Sequence, residues 1–136
     1  MTTFALRPIG RVASPLRDRD EAPRQGDEGA PEADLVFAAD VAAGLQSIAP
    51  GDEVIVLTWL HEAARDELTV HPRGDAGRPL EGVFSTRSPH RPNPIGLHRV
   101  TVLAVDGPTL HVSDLEAIDG TPIIDVKPVL GDPADR

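Results

Sequence analysis

Fourteen prolines and twelve glycines interrupt a chain of 136 residues, too often for long helices to form. What lies between the breaks is short and β-rich. Glu53-Val-Ile-Val-Leu-Thr-Trp-Leu-His61 is the strongest such run. It is apolar on both faces, which places it centrally in a sheet. Phe4 to Val12, Leu35 to Phe37, Glu67 to His71 and Glu81 to Phe84 also read as strands. Arg99 to Asp106 and Thr109 to Asp114 flank Gly107-Pro108 and make the clearest hairpin. Asp119 to Pro128 is a turn followed by a short strand, and Val41 to Ile48 holds one or two helical turns. Ser14 to Ala33 is a polar loop too long for a simple connection. The expected fold is all-β, a small barrel or sandwich of short strands with long loops.

One domain is expected at this length. Aromatic residues are scarce, with Phe4, Phe37, Phe84 and Trp59 and no tyrosine. Aliphatic side chains must therefore fill the core, and base stacking is a weak route to nucleic acid. There is no cysteine, which removes disulfides, thiolate zinc sites and thiol nucleophiles. The histidines at 61, 71, 90, 98 and 111 are scattered, without the spacing of a metal site. No apolar run is long enough for a membrane span and no signal-peptide pattern opens the chain, so the expected location is the cytoplasm. The net charge of −9 argues against general affinity for phosphate backbones, though not against a local basic face. No strand-GxGxxG-helix unit and no GxxxxGK[ST] loop is present, so a nucleotide would have to be bound by other means.

The segment most suggestive of chemistry runs from Gly82 to Leu97. Pro89, Pro92 and Pro94 stiffen it, and Arg87, Arg91 and Asn93 are displayed on it. No acidic residue occurs from Val83 to Val105. A rigid cationic loop in an acidic protein fits an anion or nucleotide clamp. A Pro-rich connector with solvated arginines fits the same residues.

Four segments in order carry a family resemblance: Pro8-Ile-Gly10 with Ser14-Pro15, Pro23-Arg-Gln25, Thr86 to Gly96, and Asp119 to Pro128. Together they resemble the TsaA-like family, also called YaeB or TrmO, from about Leu6 to Leu130. The resemblance implies a small β-barrel with long functional loops and one or two short helices, and a homodimer. It implies S-adenosylmethionine as cofactor. It also implies N-methylation of threonylcarbamoyladenosine beside the tRNA anticodon.

Carried over residue by residue, the resemblance places Pro23, Arg24 and Gln25 in a first cofactor-contacting segment. Gln25 offers amide donors and an acceptor to an adenine edge or ribose, and Arg24 suits the methionine carboxylate. His61 and Glu62, at the end of the long strand, form a second contact. Arg87 is the anchor, its planar fork matched to a carboxylate. Leu97 packs on the adenine. Ile118, Asp119, Gly120 and Thr121 close the site, with Gly120 allowing close backbone approach. A plain Asp-Gly turn is the bland alternative there. Asp119 and Asp125 are candidate bases or sulfonium partners, and Lys127 a candidate for holding the acceptor. On a regular strand Asp125 and Lys127 share a face, as they would in a surface ion pair.

The chain also departs from the longer bacterial members. The extra C-terminal domain is not expected within residues 1–136, and Val129 follows Lys127-Pro128 where a tyrosine is common. Any tRNA contact would rest on a patch around Arg87, Arg91 and Arg99. A small-molecule methyl acceptor, or a non-catalytic S-adenosylmethionine-binding module, are the alternatives.

Overall fold

The computed structural model describes residues 2–131. Six of its strands form a ring: β1 (Gly10–Ala13), β2 (Ala33–Phe37), β3 (Glu53–Trp59), β6 (Ile95–Asp106), β7 (Thr109–Val112) and β8 (Pro122–Pro128). Their order is β1-β2-β7-β6-β3-β8, and every pairing is antiparallel. The ring closes between β1 and β8 through only two residue pairs, Gly10 with Ile123 and Arg11 with Pro122. Backbone bonds from Ile9 N to Ile123 O, Val12 N to Thr121 O and Gly120 N to Val12 O extend that closure. The barrel of short strands expected from the sequence is the fold observed. A separate two-stranded arm pairs β4 (Thr69–Val70) with β5 (Glu81–Gly82).

Period-two burial fills the interior with aliphatic side chains. Val54 and Val56 face inward from β3, Val100 and Val102 from β6, and Leu110 and Val112 from β7. Leu35 and Phe37 on β2, Val12 on β1 and Ile123 on β8 complete this core. β3 is central, hydrogen-bonded to β6 on one side and β8 on the other. β6 pairs with β3 up to Thr101 and with β7 from Val102 onward, and its register shifts between Val102 and Ala104. An extra residue there lets one long strand turn the corner of a small barrel.

Several boundaries differ from the expectations. The first strand begins at Gly10, not Phe4; Pro8 has no N–H to donate, and Phe4 and Leu6 are exposed. β6 begins at Ile95, ahead of Arg99, so it includes the end of the Pro-rich segment. Val83–Ser85 is a 3-10 turn that ends the fifth strand early. The helical turns near Val41 are a 3-10 segment, Ala39–Leu45. No helix among the described residues is long and apolar enough to cross a membrane.

Candidate functional site

The stiffness of the Pro-rich loop has identifiable sources. The Thr86 hydroxyl donates to Val83 O at 3.0 Å, and its oxygen accepts the Ser88 amide at 3.2 Å. The Ser88 hydroxyl accepts the His90 amide at 3.3 Å. Arg91 turns back onto its own loop and donates to the carbonyls of Thr86, Ser88 and Val83. The loop is fastened to the segment after β3 as well. The Ala64 amide donates to His90 Nδ1 at 2.9 Å, and Arg65 donates to Pro92 O at 2.8 Å and Asn93 Oδ1 at 3.1 Å. Arg65 also lies 5.0 Å from the Trp59 ring centroid, within cation–π range.

This fastened loop is one wall of a cleft of about 1190 Å³ at one end of the barrel. Pro23, Arg24 and Gln25 line it from the loop after β1, and His61 and Glu62 from the loop after β3. Arg87 lines it from the Pro-rich loop, Leu97 from β6, and Ile118 and Thr121 from the turn before β8. The arm between β4 and β5 completes the rim with His71, Arg73 and Arg78. Two loops far apart in sequence meet here. Arg73 bonds Glu28 at 2.5 Å, and Arg24 Nη2 lies against Gly74, 3.4 Å from where a Cβ would stand. Hydrogen bonding from Arg73 holds the Glu28 carboxyl below its ordinary range.

The arginines divide by use. Arg91 is taken up by loop carbonyls and Arg73 by Glu28. Arg99, on the barrel's outer surface, pairs with Glu53 at 2.7 Å and does not line the cleft. The basic patch expected around Arg87, Arg91 and Arg99 is therefore not one surface. Arg24, Arg78 and Arg87 line the cleft, and their guanidinium groups make no hydrogen bond or ion pair with the described residues. Three unpaired guanidinium groups are suited to a carboxylate or a phosphate.

The remaining expected site residues lie elsewhere. Asp119 and Gly120 do not line the cleft. The Asp119 carboxylate accepts the Ser14 amide at 3.0 Å, and Gly120 takes a φ of 84°, so the Asp-Gly pair makes the turn that enters β8. Asp125 and Lys127 pair with each other at 3.1 Å, off the cleft. A bulge is responsible. Thr58 pairs with Ile123 but Leu57 pairs with Asp125, so Ile124 is the extra residue. It turns Asp125 and Lys127 outward beside Leu57 and Ile55, and Val126 inward beside Val56. Two of the three candidate catalytic residues are thus paired with each other, and none of the three lines the cleft.

Two residues that did not stand out in the sequence lie at the cleft floor. His98 is 4% exposed and bonds Glu116 through Nδ1 at 2.6 Å and Thr58 Oγ1 through Nε2 at 2.7 Å. Both His98 and Glu116 line the cleft. Two glycines make room for them. A Cβ on Gly96 would fall 2.4 Å from Thr58 Oγ1 and 2.7 Å from His98 Nε2. One on Gly26 would fall 2.2 Å from Asp114 O and 3.2 Å from Glu116 Oε2. The available signal was parity, since His98 alternates with Gly96 and Val100 on the inward face of β6.

The model of the tRNA-methyltransferase O N-terminal domain matches residues 11–133. The chain belongs to that family. An S-adenosyl-L-methionine-binding protein of Archaeoglobus fulgidus is 44% identical over 122 residues, 90% of this chain and 86% of that one. A probable S-adenosyl-L-methionine-binding protein of Methanothermobacter thermautotrophicus is 42% identical over 127 residues, 93% of this chain and 90% of its own. Among solved structures, TrmO from Pseudomonas aeruginosa superimposes with a TM-score of 0.74 at 28% identity. Another TrmO structure gives 0.76 at 28% identity. The alignments cover 95% and 97% of this TrmO-family chain, but 57% and 61% of those two.

Proposed function

We propose that this TrmO-family domain binds S-adenosylmethionine in the cleft and transfers its methyl group to a nitrogen of threonylcarbamoyladenosine beside the tRNA anticodon. The observation that carries the reading is convergence. Pro23 to Gln25, Thr86 to Pro89, and Ile118 with Thr121 are separated in sequence yet line one cleft. When bound, S-adenosylmethionine supplies an electrophilic methyl group on a cationic sulfur. The chain's own residues hold and orient. Arg87 or Arg24 takes the methionine carboxylate, Gln25 the nucleoside edge, and Leu97 and Ile118 the apolar face of the ring. Catalysis is then mainly positioning of donor carbon and acceptor nitrogen in line: the N–C bond forms as the C–S bond breaks, neutral S-adenosylhomocysteine leaves, and the proton on the acceptor nitrogen passes to water. The homodimer implied by the resemblance belongs to the same proposal; light scattering would detect it.

The test is incubation of purified protein with labelled S-adenosylmethionine and tRNA bearing threonylcarbamoyladenosine. Label in that nucleoside is the expected result. Tight cofactor binding with no transfer to tRNA would reject the acceptor and keep the cofactor. A second reading, a small-molecule acceptor or a binding module without transfer, is favoured by two observations. Asp119, Asp125 and Lys127 all lie off the cleft, and Arg99 is paired on the outer surface. Methylation of a small metabolite, or binding alone, would support it.

A further inference from the structure

Among the described residues that line the cleft, Glu116 is the one carboxylate largely withdrawn from solvent, at 16% exposed. The others lining it, Asp20, Glu62, Glu67 and Glu81, are exposed and screened by water. One oxygen of Glu116 accepts from His98. Oε2 lies beside the Gly26 backbone with no donor on it among the described residues. No buried side-chain atom among the described residues lacks a partner, so this oxygen is open to the cleft. The neighbouring hydrogen bonds fix its aim. With Nδ1–H donated to Glu116, His98 Nε2 accepts the Thr58 hydroxyl. Thr58 is fully buried, so the chain Thr58–His98–Glu116 ends at the carboxylate.

Charge is thus separated along the cleft. Unpaired guanidinium groups stand at the exposed rim, and an anchored anion with an open oxygen stands at the floor. A partly desolvated carboxylate favours a positively charged partner. The complementary ligand carries an anionic group at one end and a fixed cation further in.

We infer that Glu116, held in place by His98, contacts the sulfonium of S-adenosylmethionine and makes the cleft prefer it over S-adenosylhomocysteine, whose sulfur is neutral. This rests on the cofactor reading above and assigns to Glu116 the sulfonium-partner role for which Asp119 and Asp125 were candidates. His98 is a positioning residue, because it acts through Glu116.

The test is calorimetric titration of the wild type, Glu116→Gln and His98→Asn with S-adenosylmethionine and with S-adenosylhomocysteine. Glu116→Gln keeps an oxygen for His98 and removes the charge. It is expected to weaken S-adenosylmethionine by about ten-fold or more and S-adenosylhomocysteine by less than about two-fold. His98→Asn should narrow the same preference by a smaller factor. Equal losses on both ligands, or no loss on either, would overturn the contact. Wild-type protein that binds both ligands equally would overturn it without any variant. Wild-type protein that binds neither would instead refute the cofactor reading.

Discussion

Arg87 and Arg91 sit four residues apart on one loop and have opposite uses. Arg91 is fully engaged by backbone carbonyls, while Arg87 presents its fork to the cleft. Replacing Arg87 by Ala should therefore weaken S-adenosylmethionine by about 1.5–3 kcal/mol, as for a charged hydrogen bond, with the melting temperature nearly unchanged. Arg91→Ala should lower both, because the loop carbonyls lose their donor. Calorimetry paired with thermal melts separates the two roles. At Gly96 the limit is space. A methyl group would meet Thr58 Oγ1 and His98 Nε2 within 2.4–2.7 Å, so Gly96→Ala should cost about 1–3 kcal/mol in denaturant unfolding, as for overpacking. That the Pro-rich loop is stiff and cationic was legible in its residues. Which arginine the loop would consume was not, because that depends on carbonyls brought close only when the chain turns back on itself.

At the scale of elements, β8 shows how one inserted residue redirects chemistry. The alternation of Asp125 and Lys127 was legible, but the side they face was not, because the bulge at Ile124 resets the phase between Ile123 and Val126. Asp125→Ala and Lys127→Ala should each leave S-adenosylmethionine affinity within about two-fold, since an exposed ion pair contributes little to stability either. Cofactor loss of ten-fold in either variant would place β8 in the site after all. Between β2 and β7, Asp34 lies opposite His111, whose ring is held by Asp34 and Glu32 at 2.7 Å each. The hydrogen bond donated to Asp34, then that donated to Glu32, raises His111 above the ordinary imidazole value. A raised folded value means the contribution is whole below about pH 6.5 and fades as pH climbs through the folded value. The ring is 40% exposed, so the effect is modest. The melting difference between wild type and His111→Asn should be larger at pH 5.5 than at pH 9, and a constant difference would remove the linkage.

For the molecule as a whole, strand content was readable from Pro and Gly punctuation and from apolar runs such as Val54 to Leu57. The circular order was not. It depends on pairings such as β2 with β7, between residues more than seventy apart, that no local pattern records. The cleft was readable only as separate segments whose meeting the resemblance implied. Its three unpaired arginines set a bound on any tRNA contact. If single-stranded anticodon phosphates are neutralised there, the logarithm of affinity should fall with the logarithm of salt at a slope of about −2 without cofactor, and about −1.4 once one arginine holds the methionine carboxylate. A slope near zero would exclude phosphate contact through this cleft.

The narrow closure between β1 and β8 has one more consequence. The loops that carry Gln25 and Thr121 into the cleft leave from its two sides, so a ligand held by both should also clip the ring shut. Deuterium uptake at the amides of Val12 and Gly120, which face each other's carbonyl neighbourhood rather than any guest, should slow on saturation with S-adenosylmethionine. The protein would then register its occupant as a tightening of the seam.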